Sequence, residues 1–530
     1  MPDADTAAAR APVAALARAS AERREAFFEL RWTGREALTR GDAECLLGAA
    51  PRQGEAGGIH AGWRWDGQRL RACNDRYGFY PLFYARDGER LLLSPSLVRL
   101  LELGAPAELD EDALSVFLIT GFFLGEDTPF RAIRALPPAA RFTWERGELS
   151  VAGEYVIRPP LDVSWADAVE GYTRLFRQAI RRSLAHAPAI ALPLSGGKDS
   201  RHILLELLRA GRAPELTVTF EQLPWQEPNL DVPIARELAA AAGVPHVVLP
   251  QPRDALRTEL RKNLLTHLCS DEHAHYLVLA DYLRGRKLVV YDGMAGDVLS
   301  ESKVRGLERT RLFQEGRVEE LARLELGPAE HLRRFLRPEL QGAFNRERAH
   351  ARLASEMARH VEAPNPFGSY RFWNRTRREI ALSPFAILAD CDVVVPYLDP
   401  DLFDFLAALP APLLAERRLH TAVMQQAFPG FAKIPFDYER RTIAPARYPR
   451  PTRPDRLRER ARSLAWLGRA VLYGTRAPAE RIVDHRYARL RAARVLTRAR
   501  DPMHPWLPRM LVYLAQLQTL AADPAAARSY

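Results

Sequence analysis

Cysteine is rare in this chain: four in 530 residues. Cys45, Cys73, Cys269 and Cys391 lie far apart, and none has C-x-x-C spacing. A disulfide framework and a thiolate zinc site are both excluded, and a reducing compartment fits. Long apolar runs are missing too. The longest, "LSVFLITGFFLG" at 114–125, is short and broken beside the roughly 20 residues that cross a bilayer. The opening stretch, "MPDADTAAARAPVAALARASAERR", carries early acids and no apolar core, so it does not read as a secretory signal. A cytoplasmic location is the expectation. The pattern GxxxxGK[ST] is absent, which excludes a γ-phosphate cradle of the P-loop type.

Lysine is also scarce. Only five of the 76 basic residues are lysine: Lys198, Lys262, Lys287, Lys303 and Lys433. Arginine serves wherever a generic positive charge will do. A lysine that remains is wanted more often for its compact ammonium group, which a planar guanidinium cannot copy. The net charge of +10 is uneven. Residues 441–530 hold 19 arginines, no lysine and six acids, a charge of +13 that leaves −3 on the rest. Two readings stay open for that region. One is a face for an anionic partner: nucleic acid, anionic lipid, polysaccharide or a phosphorylated substrate. The other is solvated helix surface in an arginine-preferring chain, which the lack of an aromatic-interleaved basic motif favours.

What is present suggests three segments. Residues 58–155 read as strands and turns, with Asp-Gly pairs at 66–67 and 87–88 placed to make antiparallel hairpins. The spacing predicts a helix in "LDEDALSVFLITG", with Asp110 as N-cap and Gly121 as its end. "RPPLDVSW" (158–165) reads as a linker, followed by a helix over about 165–186. Strand-like "AIALPL", "ELTVTF", "PHVVLP" and "KLVVYD" (189–194, 215–220, 245–250, 287–292) then alternate with helical stretches, the pattern of a parallel sheet wrapped by helices. Beyond about 300 the reading is helical, and there are no internal repeats.

The stretch "LPLSGGKDS" (192–200) lies at the carboxyl end of the first of those strands and opens the helix "DSRHILLELLRA". Ligands bind at such strand ends in open α/β sheets. Gly196 and Gly197 let backbone N–H groups turn toward an anion, and the helix start adds a favourable field. Ser195 and Ser200 can donate hydroxyl hydrogen bonds. Asp199 would repel a bare phosphate, so an acid here implies Mg²⁺ between carboxylate and phosphate oxygens.

These residues carry a resemblance. "SGGKDS" is similar to the SGGxDS pyrophosphate loop of the ATP pyrophosphatase superfamily. "NDRYGFYPLFYARDGERLLLSPSLVRLLELG" (74–104) resembles the DRFGxxPLYY segment of the asparagine synthetase family, which includes β-lactam synthetases and lasso-peptide cyclases. "YDGMAGDVL" (291–299) resembles its GxGxDE loop. "DCDVVVPYLDPDLFDFLAALP" (390–410) resembles its ExRxPFLD segment, where Asp399 and Pro400 make a sound helix start. The likeness runs in order from about 58 to 440.

The resemblance implies an α/β protein. A glutaminase-like (Ntn-type) α+β sandwich over 1–157 precedes an adenine-nucleotide α-hydrolase-like parallel-sheet synthetase domain over 165–440. An arginine-rich helical extension fills 441–530. It implies ATP and Mg²⁺, with the nucleotide held by Ser195, Gly196, Gly197, Lys198, Asp199, Ser200, Thr219, Phe220 and Gly293. Asp199 and Asp297 would share the metal. Lys433 would stabilise charge during acyl transfer, and Glu379 would act as base. The implied reaction joins a carboxylate to an amine or ammonia, with release of AMP and pyrophosphate.

The departures are as informative. Family members that hydrolyse glutamine use an N-terminal cysteine, whereas position 2 here is Pro2. Met294 stands where the family has Glu or Tyr, and methionine moves no protons. Val298 replaces the acid after Asp297. The expectation is therefore a ligase without its own glutaminase activity, acting on a small-molecule, peptide or saccharide carboxylate. Three alternatives stay open: glutamine-dependent asparagine synthase proper, a tRNA-modifying ATP pyrophosphatase, and a non-catalytic ATP-binding relative. The sequence leaves a homodimer open, and Glu379 has the alternative reading of an ordinary helix-surface acid beside Arg377 and Arg378.

Overall fold

The two Asp-Gly pairs do turn hairpins. Gly67 and Gly88 adopt φ of +96° and +57°, a region that strains a residue with a side chain. They join β4 (His60–Trp65) to β5 (Arg69–Asn74), and β6 (Phe83–Asp87) to β7 (Arg90–Ser94). The remaining strands of this half are β1 (Phe28–Trp32), β2 (Ala37–Gly41), β3 (Glu44–Gly48), β8 (Ile133–Ala135), β9 (Arg141–Glu145) and β10 (Glu148–Ala152). Two antiparallel sheets result, ordered β2-β1-β7-β6-β8 and β10-β9-β5-β4-β3. Alternating residues face inward: Leu30 and Leu93 from one sheet meet Trp63, Leu70 and Phe142 from the other. This is the expected α+β sandwich. The computed structural model describes residues 25–48, 58–185, 187–221, 230–301, 304–327, 335–439, 448, 452–476, 483–497 and 506–530. Pro2, Lys303 and part of the arginine-rich region lie outside them.

The helix Glu111–Thr120 begins where expected, with the Asp110 carboxylate accepting from the Ala113 N–H, and ends at Gly121 in the left-handed region. Its Phe117 stacks on Phe123 and on Tyr513 of the chain's last helix, Trp506–Ala522, with ring centroids 4.7 and 4.5 Å apart. That last helix is built into the core beside the sandwich. The two helices before it, Arg453–Arg476 and His485–Thr497, cover it with Trp466, Leu467, Ala488 and Ala492. Part of their positive charge is neutralised locally, as in Arg458–Asp455 and Arg469–Asp254. Among the described residues no helix is long and apolar enough to cross a membrane.

The third sheet is parallel throughout. Its strands are β11 (Ile190–Pro193), β12 (Leu216–Phe220), β13 (His246–Leu249), β14 (Val289–Tyr291) and β15 (Val393–Val394), in the order β13-β12-β11-β14-β15. Ile190, Ala191 and Leu192 are buried, as a strand covered on both faces requires. The chain winds outward from β11 in both directions, so a crevice opens at its carboxyl end. β15 was not expected from the sequence; two residues are too few to show a period.

The two halves are joined through the segment 74–84. Asp75 caps its turn, accepting from the N–H groups of His60, Tyr77 and Gly78. Arg76 and Arg158 both grip Asp404, and the Tyr77 hydroxyl donates to Leu398 O at 2.9 Å. Phe79 packs on Phe372 and Phe385. From the other side comes an unusually wide helix, Phe372–Ile380, in which the Ala381 N–H reaches back five residues to Thr376 O. Its Asn374 accepts from the Gly125 N–H, Arg377 donates to Gly125 O and Leu136 O, and Arg378 donates to Asp127 O. Replacing Arg377 by Met leaves two carbonyls at this junction without their donor, a loss of about 1–3 kcal/mol for each unsatisfied group. The expected outcome is a fall in the thermal unfolding midpoint, read by calorimetry. An unchanged midpoint would show that the junction adds nothing to stability.

Candidate functional site

β11 ends at Pro193, and Ser195–Lys198 turn the chain into the helix Asp199–Arg209. The loop is braced from within. The Ser200 hydroxyl accepts from the Ser195 N–H at 3.1 Å and lies 3.2 Å from the Ser195 hydroxyl, which in turn accepts from the Gly197 N–H. The Gly196 N–H is taken by Asp231, and Gly196 O accepts from the Asp437 N–H at 3.0 Å. A Cβ at Gly196 would press on Asp437, Asp231 and Ile234, so glycine is required for the two flanking segments to close on the loop. This is a small polar cradle at a helix start, the arrangement that favours an anion.

Asp199 opens that helix and is its least satisfied group. Its Oδ1 is buried and has no hydrogen-bond partner. Burial pushes its carboxyl well above the usual range, and the neighbouring charges of Asp297 and Glu301 push it further. A Cβ on Gly296 would collide with this carboxylate, and one on Gly293 would stand 3.1 Å from both Asp199 Cβ and Ser200 N. Gly296 is therefore needed for Asp199 to sit where it does, and a side chain at Gly293 would crowd it. Asp297 begins the helix Gly296–Ser300 and is exposed in the crevice. A hard divalent cation suits this donor set, since it would partner the orphaned oxygen and relieve repulsion between the acids. The residues fit Mg²⁺.

The other predicted residues fall in different places. Lys198 does not line the loop's open side. It is buried, pairs with Glu301 at 3.2 Å and donates to Arg417 O at 2.9 Å, and burial lowers its ammonium. Arg417, at φ +62°, pairs with the second Glu301 oxygen at 3.0 Å and lies over the Tyr438 ring. Thr219 is buried and donates to Leu194 O, which fixes the approach to the loop. Phe220 packs on His275 and Tyr276. Lys433 is exposed on a turn. Only its neighbours are anchored, through Arg201, which donates to Ile434 O and Pro435 O at 2.7 Å. Met294 is buried, and its N–H donates to Asp292.

Glu379 is not the helix-surface acid that Arg377 and Arg378 suggested; those two point into the domain junction. Glu379 is 1% exposed and faces the opposite way. It accepts from Arg375 at 3.0 Å and is hydrogen-bonded to Asp271. Burial pushes both carboxyls up, and two acids this close share a proton. Asp271 sits on the loop 266–275, whose His267, Leu268 and His273 all have positive φ. Lys262, fully buried, bolts that loop by donating to Ser270 O at 2.6 Å while pairing with Glu259. Glu272, His273 and Glu379 bring possible ligand atoms within 4.8 Å of one another, but Arg375 already bonds both acids. A cation is thus in place there.

The sequence reading missed Glu301, Arg417, Asp271 and Arg375. Glu301 carried one signal, standing a helical turn beyond Asp297. The others meet the site only through the fold. At the sandwich end, Glu25–Phe27 lead into β1 and none is a thiol. Burial pushes the thiols of Cys73 and Cys269 up, Cys269 to about 11, the reverse of an activated nucleophile. A cavity of 1540 Å³ lies elsewhere, between the sandwich and β15, lined by Tyr77, Tyr80, Phe385 and Val393 among others. None of the predicted site residues lines it.

Comparison with known proteins agrees with this arrangement. The profile of a glutamine amidotransferase domain matches residues 24–156, and that of asparagine synthase matches residues 171–494, more than half of the chain. Asparagine synthetase (glutamine-hydrolyzing) 3 of Bacillus subtilis is 28% identical over 244 residues, which is 41% of this chain. The match spans 39% of that relative's length. The solved glutamine PRPP amidotransferase from B. subtilis, complexed with ADP and GMP, is 9% identical, and the likeness covers 56% of this chain and 74% of that one. Its TM-score of 0.17 carries no argument. The weight rests on the profile match across the parallel-sheet half: the chain belongs to the asparagine synthase family.

Proposed function

We propose that this protein is an ATP-dependent ligase that activates a carboxylate as its adenylate, releases pyrophosphate, and passes the acyl group to an amine or ammonia without hydrolysing glutamine itself. One observation carries the reading. At the carboxyl end of β11, a braced Ser-Gly-Gly loop stands beside a half-buried carboxylate, Asp199, whose buried Oδ1 accepts no hydrogen bond. A loop of this kind binds the β- and γ-phosphates as a leaving group. Asp199 and Asp297 would hold Mg²⁺. When bound, that ion neutralises phosphate charge and so favours departure of pyrophosphate.

The chain's own residues supply the rest. The hydroxyls of Ser195 and Ser200 would donate to the departing phosphates, while the N–H groups of Ser195 and Gly197 brace the loop from within. Thr219 holds Leu194 and thus fixes where the loop begins. Glu379 is the base for the attacking amine: burial, and Asp271 with which it shares a proton, hold its carboxyl above the usual carboxylate range. Lys433, on its exposed turn, supplies positive charge to the developing oxyanion. Support for ammonia or a substrate amine, and against glutamine, comes from the start of β1, which offers no cysteine.

Two tests follow. ATP–pyrophosphate exchange, screened over carboxylate and amine metabolites, is expected to appear with the correct acid and to fall at least about 100-fold in Asp199→Ala, within the range that a lost electrostatic group costs. Products of ADP and phosphate, or glutamine serving as the nitrogen donor, would replace this reading. Glu379→Gln is expected to keep exchange and to slow amide formation by about 10²–10⁴-fold. Because Glu379 is held above the usual carboxylate range, its basic form accumulates as pH rises through that raised value. The wild-type rate of amide formation therefore rises with pH along that limb, and the variant's does not. Equal loss of exchange and amide formation would remove Glu379 from the second step.

A further inference from the structure

Four arginines stand on or just before the wide helix Phe372–Ile380, and their surroundings differ sharply. Arg377 and Arg378 donate to carbonyls of the sandwich half. Arg375 bonds Glu379 through Nε at 3.0 Å and Glu272 through a terminal nitrogen at 3.2 Å. Arg371 alone among the four donates no hydrogen bond and makes no ion pair among the described residues. It is half-buried, and burial pulls its guanidinium below the usual value despite the charges of Glu325 and Asp297. Glu325 is already paired with Arg309. Asp297 is exposed in the crevice, and its charge acts on both Arg371 and Arg375.

A guanidinium drawn partly out of water with no acceptor costs free energy unless something supplies one. Four-residue spacing puts Arg371, Arg375 and Glu379 on one side of the helix, the side turned from the sandwich. An anion arriving at Arg371 would therefore lie near Asp297 and Arg375, whose charges act on Arg371. It has open water on its other side, so a ligand can reach it.

We propose that Arg371 is a specificity-determining residue that binds a carboxylate of the acyl substrate other than the one being activated. The inference rests on the ligase reading above. The activated carboxyl loses its charge on joining the α-phosphate, so a cation assigned to it would lose its partner during the reaction. A second carboxylate keeps its charge throughout and can hold the substrate still. Arg375 cannot take this part, because Glu272 and Glu379 occupy it. The phosphates have their own donors in the Ser195–Ser200 loop. Arginine's planar fork matches a carboxylate in two hydrogen bonds, which lysine cannot reproduce.

The anion at Arg371 could come from an acid or from the nucleotide, and titration calorimetry separates them. The full-length protein is titrated with the magnesium complex of α,β-methylene-ATP. In its presence the protein is then titrated with succinate, glutarate or tricarballylate, and with butyrate as the single-charge control. Wild type is expected to bind at least one of the multi-charged acids saturably and butyrate at least tenfold more weakly. Arg371→Gln should weaken the acid at least tenfold while nucleotide affinity stays within twofold, and Arg371→Lys should recover only part of the loss. Equal acid binding by Arg371→Gln, a matching loss of nucleotide affinity, or no acid bound by wild type each overturns the proposal. The readout needs no turnover. Acid binding that depends on Arg371, without any pyrophosphate exchange, would therefore sink the ligase reading while leaving an anion site at Arg371.

Discussion

The carboxylate of Asp199, buried against the bare backbone of Gly296, is the constraint from which the synthetase half is organised. A charged oxygen without a partner is expensive to bury. The chain accepts that cost at the carboxyl end of β11, where the sheet order turns outward on both sides. Gly293 and Gly296 clear the space, Tyr397 donates to the Asp199 backbone carbonyl, and Ser200 braces the loop from inside. Below it, Glu301 gathers Lys198 and Arg417 into a closed triad of charge, so that a positive excess lies under the loop. Nearby His420 and His202 are kept neutral by burial, His202 near 3, and so add no positive charge that would relieve the acid.

The wide helix Phe372–Ile380 ties this centre to the rest of the molecule. Its one side is pinned to the sandwich by Asn374, Arg377 and Arg378; its other side carries Arg375 and Glu379 toward the crevice. The extra residue per turn in a π-helical bond pattern is costly in isolation, and such segments recur at functional sites. Here the widening lets two sets of long side chains reach in opposite directions from a few turns. The hydrogen bonds on the sandwich side fix where the acid pair on the other side can stand.

Much of this was legible in the sequence wherever a local rule governed. Asp-Gly pairs gave hairpins because few other residues tolerate the turn. Asp110 and Gly121 bracketed a helix because both ends need partners for their backbone groups. Four of the five parallel strands announced themselves as short apolar runs, and Asp399 capped its helix as expected. What escaped was set by distance through space. Nothing near Glu379 in sequence says that Asp271 lies against it, and its neighbours Arg377 and Arg378 pointed to the wrong face. Lysine scarcity pointed at all five lysines alike, and two of them, Lys198 and Lys262, are buried and paired. It gave no hint that Lys198 would turn away from the loop toward Glu301, and for Lys433 it marked a residue that the fold leaves in solvent.

The packing of Phe117 against Tyr513 has a bearing on how the chain is made. The sandwich and the helix Glu111–Thr120 emerge early from the ribosome, but the helix that covers them is the last to be synthesised. Until it arrives, Phe117 lacks the Tyr513 ring that stacks on it, and that part of the apolar surface waits while the whole parallel-sheet half is built. A cluster that closes only when so distant a helix arrives cannot mature piecemeal from its amino end. Its nascent form therefore depends on being shielded during synthesis, and a premature stop before residue 506 releases a chain in which the face around Phe117 is uncovered.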